Sequence, residues 1–180
     1  GRNTYYTKNN IIITGTDIKN WLFDNKKNIT NKIILVLDFS FSGGFLPTLS
    51  YNTDDQFVVI TSSKDDEHTW FMEDGIVSFG YQFWSAMSGK NDLWDSYTIA
   101  KGCVPNSQTP VLDVDGDGKE TKQDEILLKG SFENMKAIIG TGGTGNTDDD
   151  ITESARLCSN LAYNALLTLD YSPDNIRYLG

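Results

Sequence analysis

Three stretches of this sequence carry residues whose type and spacing suit chemistry. The first is Asp38-Phe39-Ser40-Phe41-Ser42-Gly43-Gly44, where a carboxylate and two hydroxyls alternate before a glycine pair. A serine hydroxyl, with a pKa far above neutrality, acts as a nucleophile only beside a general base. The chain has a single histidine, His68, which follows the acidic run Asp65-Asp66-Glu67. That position reads as an exposed loop and offers Ser40 no evident base. The second stretch runs from Asp113 to Asp124 as DVDGDGKETKQD. Side-chain oxygens fall at positions 1, 3, 5, 9 and 12 (Asp113, Asp115, Asp117, Thr121, Asp124). Gly118 is at position 6, and Lys119 offers a carbonyl at position 7. That is the EF-hand order of oxygen ligands for Ca2+, with Asp in place of Glu at the end. Pro105 and Pro110 occupy the place of the usual preceding helix, and the alternative is an acidic solvated turn. A third stretch, Gly140 to Gly145, has the GxGxxG spacing of a dinucleotide loop. Asp148, Asp149 and Asp150 crowd the following helix start, where a pyrophosphate would meet like charge.

These residues need elements to hold them. Ile33 to Leu37 is an unbroken β-branched and aliphatic run, which predicts a strand buried on both faces in a parallel sheet. Asp38 and Ser40 then stand at its carboxyl end, where open α/β sheets place their sites. Gln56 to Thr61 predicts a second buried parallel strand, ending in Ser62 and Ser63. Helices are expected from Thr16, as N-cap, through Leu22, over Gly75 to Gly89, after Asn91, and from Ile151 to Leu169. The last carries an apolar stripe at Ala155, Leu157, Leu161, Ala162, Ala165, Leu166 and Leu169. Lys136 to Ile139 predicts another strand. Residues 1 to 10 and Gly102 to Gln123 read as loop. The alternation of strand and helix is α/β architecture.

The 180 residues suffice for one well-buried domain. With 38% hydrophobic and 12% aromatic residues, the composition is that of a folded chain. A net charge of −10 argues against nucleic-acid partners, and no apolar run reaches membrane-spanning length. Cys103 and Cys158 are too few and too far apart for a disulfide framework or a zinc site. The compartment therefore stays open. The lack of an initiator Met predicts a fragment or a processed piece.

The frame Asp38-Phe39-Ser40-Phe41-Ser42-Gly43 after a hydrophobic strand resembles the Asp-x-Cys-x-Ser-Gly of caspase- and legumain-like cysteine peptidases, metacaspases included, with Ser at the nucleophile position. The likeness continues in order through Thr61-Ser62-Ser63, Asp66-Glu67, the aromatic segment Ile76 to Trp84, and Gln108 to Gly118. Prokaryotic legumain-like peptidases have such a succession, and the coverage is roughly residues 10 to 125. Lys136 to Leu179 resembles the beginning of such a domain, in inverted order. The resemblance implies a caspase-like three-layer α/β/α sandwich with a mainly parallel sheet, partial or permuted. Residues 1–128 would be the C-terminal two-thirds of a peptidase domain. Residues 129–180 would be a strand-helix unit from the start of a second or permuted one.

By the same resemblance, Ser40 occupies the nucleophile position, and Gly1 would belong to the oxyanion hole as the remnant of a His-Gly pair. Asp38, with Ser62 and Ser63 opposite, would line a pocket for a basic substrate residue. The expected function is peptide-bond hydrolysis in the family and an inactive chain here, since Ser40 replaces Cys and the family's His is absent. The expected partners are a peptide or protein substrate and flanking domains of a longer polypeptide. A calcium-stabilised scaffold module with the peptidase fold is the alternative, and a nucleotide-binding oxidoreductase a more remote one. If the tail docks on the first unit, one parallel sheet is expected, with Ile138 on the Leu35 side.

Overall fold

The computed structural model describes residues 4–6, 12–26, 33–50, 57–128, 137–140 and 150–179. At its centre, strand β3 (Ile33–Leu37) lies parallel to β4 (Phe57–Thr61), with Leu35 opposite Val59 and Leu37 opposite Thr61. A third strand, β5 (Val111–Asp113), pairs antiparallel with β4 and makes the sheet mixed, in the order β3-β4-β5. Two earlier strands, β1 (Thr4–Tyr6) and β2 (Ile12–Thr14), form a separate antiparallel pair. Both β1 and β5 fall in stretches whose composition reads as loop. Each is three residues long, too short for a period of two to register.

The apolar run of β3 feeds both faces of the sheet but, at the edge of the described order, is half-buried where the sequence predicts full burial; β4 beside it is buried throughout. Ile34 and Val36 join Val58, Ile60, Leu112 and the aromatic residues Phe79, Phe83 and Tyr97 on one face. Leu35 and Leu37 join Phe45, Leu46, Leu49 and Val59 on the other. The first face is covered by α3 (Phe79–Ser88) and α4 (Leu93–Cys103). The second is covered by Ile18 of α1 (Gly15–Lys26) and by the short α2 (Leu46–Leu49). Burying a side chain such as Phe83, which has no exposed surface, contributes on the order of 2 kcal/mol.

Helix starts are fixed by local hydrogen bonds, and two differ from expectation. Thr14, two residues ahead of Thr16, caps α1. Its Oγ1 accepts from the Asp17 amide at 3.1 Å, and the Asp17 carboxylate accepts from the Thr14 amide at 2.8 Å. This reciprocal pair is a capping box. The Thr14 hydroxyl, which also donates to the Asp17 carboxylate at 2.6 Å, and then the Thr14 amide hold Asp17 below the usual carboxylate range. Asp92, not Asn91, caps α4 by accepting from the Asp95 amide at 2.7 Å. Asn91 instead donates its amide to the Ala86 carbonyl at 2.9 Å and closes the preceding helix. Helix α3 starts later than Gly75. Residues Met72 to Val77 form a tight turn with Glu73, Asp74 and Gly75 all at positive φ, and Ser78 then caps the helix.

The C-terminal part consists of α5 (Lys122–Leu128), β6 (Ala137–Gly140), α6 (Asp150–Thr168) and β7 (Ile176–Leu179). Strand β6 pairs parallel with β7, Ile138 opposite Arg177, so it does not lie beside Leu35. The stretch after α6 is itself a strand and supplies β6 with a parallel partner across that helix. The tail nevertheless joins the first unit. Ala165 of α6 belongs to the same cluster as Phe79 and Phe83, and Trp84 bridges from α3 to Ala162, Leu166 and Ile176. The buried face of α6 is Ser154, Cys158, Ser159, Ala162, Ala165 and Leu166, while Leu157 is exposed. Small side chains at the first two positions let the helix come closer than the leucine stripe would. The expected junction after Leu128 runs through residues outside the described ones. No helix among the described residues is long and apolar enough to cross a membrane.

Candidate functional site

Parallel pairing of β3 and β4 brings their carboxyl ends side by side, so Asp38, Ser40, Ser62 and Ser63 meet in one place. The two strand-end loops are then laced together. Gly43 donates its amide to the Ser63 carbonyl at 2.9 Å, and Phe41 donates to Glu67 O at 2.8 Å. Ser42 and Ser63, both fully buried, bring their hydroxyls to 3.3 Å. The Ser42 Oγ also accepts from the Ser63 amide at 3.2 Å. A Cβ on Gly43 would stand 2.8 Å from the backbone of Lys64 and Asp65. Only glycine lets the loops approach this closely.

Asp38 lies beneath these loops. Its carboxylate accepts from the Ser62 hydroxyl and from the backbone N–H of Gly80, in the first turn of α3. The helix N-terminus thus presents an amide and its positive dipole end to the carboxylate. The other oxygen, Oδ1, is buried without a hydrogen-bond partner. Burial is the dominant influence and pushes the Asp38 pKa up to about 6, against the two donors that favour the anion. A Cβ on Gly80 would lie 2.0 Å from Asp38 Oδ2, so position 80 admits the carboxylate only because it is glycine.

Ser40 Oγ accepts from the Thr69 amide at 3.1 Å. The exposed His68 places its ring edge-on to Phe41, with centroids 4.6 Å apart. Phe41 holds a left-handed backbone (φ 65°), which turns the chain sharply after Ser40. The Ser62 Oγ is 2.8 Å from Thr69 Oγ1, which extends the polar network from Asp38 towards the loop that holds Ser40. Ser63 donates its hydroxyl to the Phe39 carbonyl at 3.3 Å. Gly1, the expected oxyanion residue, lies outside the described residues, as do 141–149 of the Gly-rich turn.

Residues beyond the motif hold this site. Buried Gln108 donates to the Ser62 carbonyl at 2.8 Å and accepts from the Trp70 amide at 2.9 Å. The Glu67 carboxylate accepts from the Thr109 amide at 2.5 Å and its hydroxyl at 2.9 Å. These two side chains tie the loop after β4 to the segment entering β5. Gln108 stands within the sequence likeness, but the partner it holds is forty-six residues away and leaves no local signal.

The acidic loop folds back on itself after β5. Oxygen atoms of Asp113, Asp115 and Asp117 lie within 4.8 Å of one another, a separation that oxygens around one cation can adopt. Asp113 is raised from the ordinary carboxylate pKa, first by burial and further by the nearby Asp124 charge, against the Gly116 and Gly118 amides. The donor set at the far end is different. Asp124 Oδ1 accepts from the amides of Val114 (2.6 Å) and Asp115 (3.2 Å). Its Oδ2 accepts from the Thr121 amide (2.6 Å) and hydroxyl (2.9 Å). Thr121 and Asp124 are therefore the capping box of α5, with both Asp124 oxygens engaged. The Lys119 amide donates to Asp117 Oδ1 at 2.8 Å. Of the expected ligands, Asp113, Asp115 and Asp117 lie close enough together to share one cation, while accepting from loop amides themselves: Gly116 and Gly118 on Asp113, Asp117 on Asp115, Lys119 on Asp117. Thr121 and Asp124 are not part of that cluster.

Comparison of the chain with protein-family models, curated proteins and solved structures gives no match in any of the three.

Proposed function

We propose that this chain carries the nucleophile-side half of a caspase- or legumain-like peptidase site on a caspase-like α/β/α scaffold, and that as it stands it binds basic peptide side chains without cleaving them. The observation that carries this reading is the buried, half-satisfied carboxyl of Asp38 beside Ser40 and Ser62, at the carboxyl ends of two parallel strands. That is the arrangement the Asp-x-Ser-x-Ser-Gly frame implies for a pocket that takes a cation. Hydrolysis lacks its general base. The described partner of Ser40 Oγ is an amide donor, which pulls electron density away from the hydroxyl instead of taking its proton. The test is calorimetry with blocked dipeptides ending in Arg, Lys, Asn or Asp. Arg and Lys should bind, Asp should not, and Asp38→Asn should abolish the preference. Equal binding of Arg and Asp peptides, or turnover of an Arg fluorogenic substrate by the unaltered chain, would overturn the reading.

The second reading, a calcium-stabilised scaffold module, is favoured by one separate observation, the convergence of Asp113, Asp115 and Asp117. It does not compete for the Asp38 site, and a metal there would act on stability alone.

A further inference from the structure

Helix α6 lies across the Asp38 carboxyl. Ser154 meets the strained turn before α3 so closely that a Cβ on Gly75 would be 2.8 Å from Ser154 Cβ. One turn on, Cys158 Sγ is 3.5 Å from the Ser78 hydroxyl that caps α3. Cys158 Cβ is 3.5 Å from where a Gly80 Cβ would stand, the same point that Asp38 Oδ2 approaches to 2.0 Å. Two glycines thus make room for the helix and the carboxylate together.

The two halves of α6 are held differently. Ala162, Ala165 and Leu166 are buried among Trp84, Ile176 and the main core, which anchors the C-terminal half. The N-terminal half is seated on small polar contacts, Ser154 and Cys158, beside Oδ2 of a carboxyl whose other oxygen, Oδ1, is buried without a partner. A buried, unsatisfied acceptor costs free energy in every state that keeps it covered, and more when it is charged.

We propose that the N-terminal half of α6, Ser154 to Cys158, is a hinged cover over the Asp38 carboxyl, seated while that carboxyl is protonated and lifted when it ionises or takes a cation. That the lifted form admits a basic side chain rests on the function proposed above; that the cover lifts does not.

The charge dependence has a fixed sign. The covered Asp38 has its pKa raised to about 6, and uncovering it returns the group towards its ordinary value of 3.8. The cover is fully seated below the lower value and loses hold as pH rises through the upper one. The ratio of lifted to seated forms then grows by at most about a hundredfold, since α3 and β4 contribute to the burial as well. The groups facing the carboxyl are the Ser62 hydroxyl beside β4, Ser78 and the Gly80 amide on α3, and Cys158 on α6. Of these only Cys158 titrates, and burial followed by the Asp38 charge pushes its pKa up to about 12. It stays a neutral thiol throughout, so Asp38 alone sets the response.

The two cysteines make the test direct. Cys103 is exposed and Cys158 buried, so the ratio of their alkylation rates, read by mass spectrometry on the intact chain, cancels the pH dependence of thiol chemistry. The ratio of Cys158 to Cys103 labelling should rise several-fold, up to about tenfold, between pH 5 and 7.5, with a midpoint near 6, and should be flat in Asp38→Asn. A flat ratio in the unaltered chain overturns the proposal, and needs no variant to fold. So does a rise accompanied by equal loss of amide-exchange protection in β4, which would mark opening of the whole molecule. Acetyl-arginine amide, added at pH 7.5, separates this from the function proposed above. A pH-dependent ratio indifferent to that ligand upholds the cover and counts against the basic subsite. A flat ratio with Asp38-dependent arginine binding does the reverse.

Discussion

Asp38 and Gly80 constrain each other. The carboxylate rests in the first turn of α3 because position 80 has no side chain, and any Cβ there would collide with Oδ2. Gly80→Ala should therefore lower stability by about 1–3 kcal/mol, although alanine is the better helix former. A gain in denaturant midpoint would show that the contact is looser than described. Asp38 also makes stability depend on pH. Its pKa is raised on folding, so the native state binds the proton more tightly than the unfolded chain does. The contribution is without penalty below about 4, and stability is lost as pH rises through about 6, on the order of 3 kcal/mol once ionisation is complete. Asp38→Asn should match the parent near pH 4 and exceed it above pH 6.5. Urea midpoints at the two pH values decide this, and a variant less stable than the parent at both would refute it.

At the scale of elements, the acidic loop divides into two jobs that its spacing presents as one. Asp124 and Thr121 are structural: they staple the loop to β5 and start α5. Asp124→Ala strands the amides of Val114, Asp115 and Thr121 and should cost about 2–4 kcal/mol with or without calcium. Asp113, Asp115 and Asp117 are left to bear mutual repulsion, which a divalent cation would relieve. Calcium should raise the melting temperature of the parent chain, and Asp117→Ala should remove the rise while leaving the calcium-free melting temperature within a few degrees. Differential scanning calorimetry showing no calcium effect at millimolar concentration would reduce the loop to an acidic turn. The sequence shows the spacing of these side chains. It does not show that Asp124 is committed to the amides of Val114, Asp115 and Thr121 at the start of α5, because a capping box and the end of a calcium loop use the same residue types. The same limit accounts for Thr14 and Asp92. Several good capping residues stand together at each helix start, and the entry angle of the chain selects among them.

For the whole molecule, the apolar pattern made the two parallel strands legible, and with them the gathering of Asp38, Ser40, Ser62 and Ser63, but it did not show that β3 is a half-buried edge strand while β4 is buried throughout. What stayed hidden is long-range: the clamp of Gln108, the pairing of β6 with β7, and the approach of Cys158 to Asp38. Each depends on a partner more than thirty residues away, and no local period encodes it. The tail is joined to the rest through shared core residues, Ala165 against Phe79 and Phe83. The chain should accordingly melt in a single transition, and Phe83→Ala should lower its midpoint by the equivalent of about 3–5 kcal/mol. Limited proteolysis that frees a folded piece of residues 1–130 would contradict the shared core.

Position 43 shows what this lacing means for the tolerance of the chain to change. Its glycine lies in a short 3-10 turn (Ser42–Phe45) without positive φ, so nothing in its own backbone forbids a side chain. The prohibition comes from another loop: the peptide between Lys64 and Asp65 occupies the space. In a saturation library sorted for folded protein, residue 43 should be as closed to replacement as Phe79 or Ile60. Gly102, around which a Cβ would meet nothing within 4 Å, should accept almost anything. Two glycines alike on paper would sit at opposite ends of the same selection.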